Sequence, residues 1–248
     1  MNPSLVAPPL NVPGWTPIFW DDFNTNADRG MFLTKYGIKW DAYPTGWRTS
    51  SPWKVGMYDN SILEARDSCL IKNIATVDGT PRVAALQPKL SPVKPYGVPA
   101  GRFSIRFKCD PLPGYKVAWL LWPDSGLWPL DGEIDFPESD LSTNDTVHGF
   151  VHRQDAITGS DQWAVASNVS LTDGEWHTCV INYKPGTWRT SEVSFMLDGD
   201  LIGKWTERIP NGPMHWVIQT EPMLRWTKPD PTVTGKIMID WAVAYRPA

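Results

Sequence analysis

An all-β sandwich is predicted by three features of this 248-residue chain. Short runs rich in β-branched and aromatic residues recur along it, turn dipeptides separate them, and the periodicity of an amphipathic helix is scarce. The turn signals are Pro13-Gly14, Asp78-Gly79, Pro113-Gly114, Asp173-Gly174, Pro185-Gly186, Asp198-Gly199 and Asn211-Gly212. Pro presets one turn angle and Gly accepts the left-handed one, so these pairs end strands for a steric reason. Alternating strands and helices, the mark of a parallel sheet, are not seen.

The elements follow in order. Residues 1–14 carry prolines that favour an extended arm. Residues 15–248 then read as a single β domain, with no internal repeat and no low-complexity block. Strands are expected at 103–109, 117–122, 132–136, 146–152, 177–183, 192–197, 216–220 and 236–245, where β-formers cluster between turns. Residues 40–53 (WDAYPTGWRTSSPW) read as an aromatic loop, and 222–235 as a second long one.

Composition excludes several classes of partner. The net charge of −4 gives no basic footprint for a nucleic acid. The longest apolar runs are too short for a membrane span, and a monomer is expected. The first residues lack a basic stretch followed by an apolar one, so they do not read as a signal peptide. Cys69, Cys109 and Cys179 lack metal-type spacing and are expected as buried free thiols. Trp is abundant, with fifteen copies against seven Tyr and eight Phe. It offers a broad apolar face with one N–H donor, suited either to a core or to the apolar faces of sugar rings.

Residues 132–139, GEIDFPES, carry the chemistry. They hold Glu133, Asp135 and Glu138, and carboxylates this close resist joint ionisation. By strand alternation Glu133 and Asp135 share one face, with Ile134 and Phe136 on the other. Glu138 would then point into the core, where an unpaired charge is very costly. One inserted residue, a β-bulge, returns it to the face of the other two, and Pro137 suits a bulge because it has no N–H for the ladder. A rise of ~3.3 Å per residue sets the Glu133 and Glu138 backbones roughly 13 Å apart, which leaning side chains close to about 5–6 Å. That is near the about 5–5.5 Å of a retaining glycosidase, below the about 6.5–9.5 Å of an inverting one. A solvated charged face and a calcium site are the other readings of such a motif.

The motif and its flanks resemble glycoside hydrolase family 16, in its bulged, laminarinase-like branch. Gly132-Glu133-Ile134-Asp135-Phe136-Pro137-Glu138 is similar to its signature. The run 101–106 (GRFSIR) resembles its GRFE-x-R strand, with Ser104 where an acid is common, and 117–123 (VAWLLWP) its AFWLLP strand. Trp128-Pro129 stands just before the motif, as in the family. Residues 19–24, 175–177 with 195–199, and 236–245 resemble further strands, so the likeness spans nearly all of the chain after residue 15.

The resemblance implies a β-jelly-roll sandwich of the concanavalin A-like lectin/glucanase kind: two antiparallel sheets with a concave substrate cleft. It implies retaining, endo-acting hydrolysis or transglycosylation of a β-linked polysaccharide, of β-1,3-glucan or galactan type. Glu133 would be the nucleophile, Asp135 its helper and Glu138 the general acid/base, kept protonated by its neighbours. His152 matches the family's groove histidine and is expected near the leaving group, tuning Glu138. Trp119 and Trp128 match positions expected to stack on sugar. Gln219 and Glu221, two apart on a strand, would face hydroxyls, although this strand departs from the family's Asn-containing one. Arg102 would pair with an acid or reach the groove. His148 shares a face with His152, but zinc there lacks a third ligand. No cofactor is required, and Asp22 and Asp240 are expected at a structural calcium. The resemblance also implies an extracellular site of action. Without a signal peptide, that leaves a trimmed mature form, release by lysis or display on a phage particle. A non-catalytic lectin-like module and a cell-wall depolymerase are the alternative readings.

Overall fold

The computed structural model of the chain describes residues 6–50, 54–143, 145–187, 190–222 and 228–248. The expected loops at 40–53 and 222–235 therefore lie partly outside the described residues, and Trp40–Ala42 is a strand. In chain order the elements are β1 (Trp15–Asp21), α1 (Phe32–Tyr36), β2 (Trp40–Ala42), β3 (Met57–Tyr58), β4 (Leu63–Arg66), β5 (Cys69–Val77), β6 (Thr80–Val83) and β7 (Ala85–Pro88). Then follow β8 (Gly101–Cys109), β9 (Tyr115–Pro123), β10 (Glu133–Asp140), β11 (Val147–His152), β12 (Gln162–Ser167), β13 (His177–Lys184), β14 (Glu192–Leu197), β15 (Asp200–Trp205), β16 (Met214–Pro222) and β17 (Gly235–Pro247).

They form two stacked sheets. One runs β15-β14-β13-β8-β17-β5-β6-β3, with β1 on β17 and β4 on β5; the other runs β12-β11-β10-β9-β16-β7-β2. The sandwich of the sequence reading is thus present, with one departure from antiparallel order: β3 pairs with β6 in parallel. The core between the sheets is aromatic. Phe107 meets Trp119 edge-on at 4.4 Å between centroids, Phe103 meets Trp216 at 5.5 Å, and Phe136 stacks on Phe195 at 4.7 Å. Gly149 makes room for the last pair, because a Cβ there would lie 2.6 Å from the Phe195 ring.

The sheet of β8 and β17 turns its outer face to the N-terminal arm. Leu10 and Val12 pack with Trp15 on Trp241, Val243 and Tyr245, and the Tyr245 hydroxyl donates to the Pro9 carbonyl. The three cysteines are buried and unbridged. No helix among the described residues is long and apolar enough to cross a membrane.

Lys72 is an unexpected core residue. It rises fully buried from β5 and donates to the Ile218 carbonyl of β16 at 2.6 Å, with the Ala84 carbonyl and Thr220 Oγ1 at 3.4 Å. It therefore braces the outer sheet against the back of the other. Burial pushes its ammonium down to about 7 from an ordinary 10.5. Between those values the unfolded chain binds the extra proton, so this residue's contribution to stability rises with pH. Urea midpoints of wild type and Lys72→Met, followed from pH 7 to pH 10, should show wild type gaining steadily on the variant.

Candidate active site

Strand β10 lies between β11 and β9 in the second sheet, and its register carries the bulge. Asp135 pairs with Leu120 and Glu138 with Ala118 on β9; across the other edge Asp135 pairs with Phe150 and Glu138 with His148 on β11. Three steps along β10 thus match two on each neighbour, the extra residue falling at Phe136-Pro137. Ile134 and Phe136 enter the core, while Glu133, Asp135 and Glu138 share the opposite, groove face. Gly132 begins the strand at φ +71, where a Cβ would lie 2.5 Å from the His152 carbonyl oxygen.

Glu133 and Asp135 form one buried unit. A hydrogen bond joins their carboxyls, and the Trp128 indole also hydrogen-bonds Glu133. Burial pushes Glu133 well above the usual carboxylate range, and the adjoining Asp135 adds to this; His152 and Trp128 oppose it. Burial also raises Asp135, helped by Glu138 and opposed by Glu133 and Lys116. Two acids so placed hold one proton between them. Asp135 is the more deeply buried, at 4 % exposure, and both carboxyls are pushed above the usual range.

Glu138 has a partner that sequence reasoning missed. Lys116 of β9 lies 2.8 Å from its Oε1, both side chains being one-fifth exposed. The neighbour expected to hold a proton on Glu138 is thus an ammonium. Lys116 also feels Glu221 and Asp135, and its own proton is held more tightly because these three acids outweigh its burial.

Several expected positions are corrected. Trp119 is fully buried against Phe107, because β9 turns Val117, Trp119 and Leu121 into the core. Lys116, Ala118, Leu120 and Trp122 face the groove instead, and Trp122 is the aromatic of this strand that lies open. It stacks on Trp128 at 6.2 Å and 16°. His152 pairs with Glu133, not Glu138. Its Nε2 lies 3.4 Å from Asp135 Oδ2 and 3.9 Å from Glu133 Oε2, and its Nδ1 donates to the Gly159 carbonyl at 2.8 Å. The histidine opposite Glu138 is His148. Arg102 sits on the other sheet, donating to Asn182 Oδ1 at 2.9 Å, and touches neither groove nor acid.

Gln219 does reach the groove, but Glu221 is covered. The Tyr58 hydroxyl and the Ser50 N–H both donate to its carboxylate, so it anchors Ser50 and Tyr58 to β16. Asp240 is ion-paired to Arg106 at 2.5 Å. Among the described residues the group of acids and histidines whose ligand atoms converge is Glu133, Asp135 and His152.

The groove has a walled side. A cavity of about 540 Å³ is lined by Tyr43, Trp47, Tyr58, Trp122, Glu133 and Gln219. A second of about 410 Å³ continues it past Trp47 and Trp122 to Asp124 and His215. Trp47 and Trp128 are 58 % and 42 % exposed, so their faces are open to a ligand. The two tryptophans of β9 can be separated by experiment. Trp122→Ala should leave the melting temperature nearly unchanged and weaken binding of any groove ligand. Trp119→Ala should cost about 3–5 kcal/mol in stability.

This architecture defines the chain as having the fold of the laminarinase-type glycoside hydrolases. It is similar to the laminarinase from Rhodothermus marinus, with a TM-score of 0.74 and 20% identity over 96% of this chain and 100% of that one. It is similar to the endo-β-1,3-glucanase from Pyrococcus furiosus, with a TM-score of 0.71 and 18% identity over 94% and 95% of the respective chains. SCLam, a non-specific endo-β-1,3(4)-glucanase from family GH16, matches with a TM-score of 0.71 and 16% identity over 99% and 94%. No protein-family model matches the chain, and no curated protein matches it by sequence.

Proposed function

We propose that this chain is a retaining, endo-acting glycoside hydrolase of family 16, cleaving a β-linked polysaccharide of β-1,3-glucan or galactan type. The observation that carries the reading is the placement of Glu133, Asp135 and Glu138 on one groove face across a bulge, with Glu133 in the wall of an aromatic cavity. The activities of its structural neighbours support it.

In this reading Glu133 attacks the anomeric carbon of the sugar lying on Trp122. Asp135, holding the shared proton, donates a hydrogen bond to Glu133 and orients it. Glu138, which takes up a proton once substrate covers it, gives that proton to the departing oxygen, and Lys116 then stabilises the carboxylate left behind. That carboxylate takes a proton from water, which attacks the glycosyl-enzyme from the same face and so retains the anomeric configuration. The wide, half-apolar groove suits internal rings of a long neutral chain, whose C–H faces lie on tryptophan.

The test is product analysis after incubation with laminarin, lichenan, agarose, carrageenan and mycobacterial-type galactan. New reducing ends, released first as the β-anomer by NMR, are expected from one of them. Tight binding to a polysaccharide without any cleavage would identify a lectin-like module and overturn the reading. An initial α-anomer would overturn retention.

A further inference from the structure

We propose that Glu133, Asp135 and His152 also form a three-ligand site for a divalent transition-metal ion of the zinc type, and that the ion shuts the cleft by capturing the nucleophile. Metal binding stands on geometry alone; inhibition rests on the hydrolase reading.

Three observations carry the site. One ligand atom from each residue lies within 4.8 Å of the other two. A tetrahedral ion with bonds of about 2.0–2.1 Å holds its ligand atoms about 3.3–3.4 Å apart. His152 Nε2 already lies 3.4 Å from Asp135 Oδ2 and 3.9 Å from Glu133 Oε2, so small side-chain rotations complete the set.

The second observation is the histidine's own anchoring. Its Nδ1 donates to the Gly159 carbonyl at 2.8 Å, which fixes the ring and leaves Nε2 as the atom facing the two acids. A backbone carbonyl on the far ring nitrogen is the usual support of a metal-ligating histidine.

The third is an orphan. Asp135 is buried at 4 % exposure, yet its Oδ2, the oxygen nearest His152, makes no hydrogen bond. A buried carboxylate oxygen without a donor is costly, and a cation between it and Nε2 would satisfy both. The fourth coordination position would open towards the cavity beside Glu133 and Trp122, where water enters. One imidazole with two carboxylates suits zinc, copper or nickel, whereas magnesium prefers an all-oxygen octahedron.

The experiment is isothermal calorimetry of the full chain, freed of metal, titrated with zinc chloride and in parallel with magnesium chloride. One zinc per chain is expected, with magnesium giving no comparable heat. His152→Gln should weaken zinc binding about tenfold or more, and Asp135→Asn likewise, with circular dichroism checking that each folds. Should neither variant fold, cobalt(II) on the wild-type chain serves instead: intense visible absorption, displaced by zinc, reports a four-coordinate site. On the polysaccharide that the chain cleaves, zinc should raise the apparent KM and leave kcat unchanged.

Absent zinc binding, equal binding of zinc and magnesium, undiminished binding in a folded His152→Gln variant, or weak octahedral-type cobalt absorption would each overturn the site. Zinc bound without inhibition of an active enzyme would overturn capture of the nucleophile. A chain that binds zinc through His152 but cleaves none of the polysaccharides would keep the metal site and remove the hydrolase.

Discussion

Glu133→Gln is expected to lower kcat/KM by about 10⁴-fold or more while making the protein more stable. The loss follows from its proposed place as the attacking carboxylate: an amide cannot form the glycosyl-enzyme, and removal of a catalytic nucleophile costs on this scale. The gain follows from electrostatics. Burial and Asp135 hold Glu133 well above the usual carboxylate range. Above the unfolded value the folded chain therefore keeps a proton that the unfolded chain releases, and stability falls as pH rises through the raised value. Glutamine does not titrate. The variant should match wild type near pH 4 and gain on it steadily towards pH 8. Melting curves across that range, with turnover measured beside them, check both halves. A variant that loses activity and stability together would point to damage rather than chemistry.

Glu138→Gln should show the opposite sign in stability. Its carboxylate is the partner of Lys116 at 2.8 Å, and the amide leaves a partly buried ammonium to the more distant Glu221 and Asp135. A loss of about 1 kcal/mol at neutral pH is expected, the part-exposed pair being worth less than a buried one. Turnover of polysaccharide should fall by about 10²–10⁴-fold, the usual contribution of a general acid. The chemistry separates the two glutamates further. An aryl glycoside with a strongly acidic phenol needs no proton to depart, so Glu138→Gln should still release phenol in a first burst. Glu133→Gln should release none. Absence of the burst in a folded Glu138→Gln variant would remove its role as acid.

The acidic face was legible because its logic is local. Three acids, a proline and two apolar residues admit one arrangement that keeps charge out of the core, and the register shift at Phe136-Pro137 has that form. Longer β-rich runs such as those of β8, β14 and β17 were legible for a similar reason. What sequence could not supply was phase. Strand β9 reads YKVAWLLWP and is apolar on both faces, so nothing local decides whether Trp119 or Trp122 looks into the groove. Pairing with β10 decides it, and Leu120 opposite Asp135 carries Trp122 to the acid side. His152 was assigned to the wrong glutamate for the same cause, because its partner depends on the offset between β10 and β11. Lys116 was readable in principle: a lone lysine opening a buried strand asks for an acid opposite. Strands β3, β4, β6 and β7 were missed because short mixed runs hold no period, and Arg102 because either sheet could own it.

The position of β17 has a consequence for how the molecule is made. It fills the slot between β8 and β5 and carries β1 along its second half. On the ribosome those partners emerge long before the strand that joins them, and their edges stay unpaired until it follows. Sheets closed by such distant pairings assemble slowly, and waiting edges invite pairing with other chains. Yield on expression should therefore depend on temperature and chaperone supply more than on the strength of the finished core.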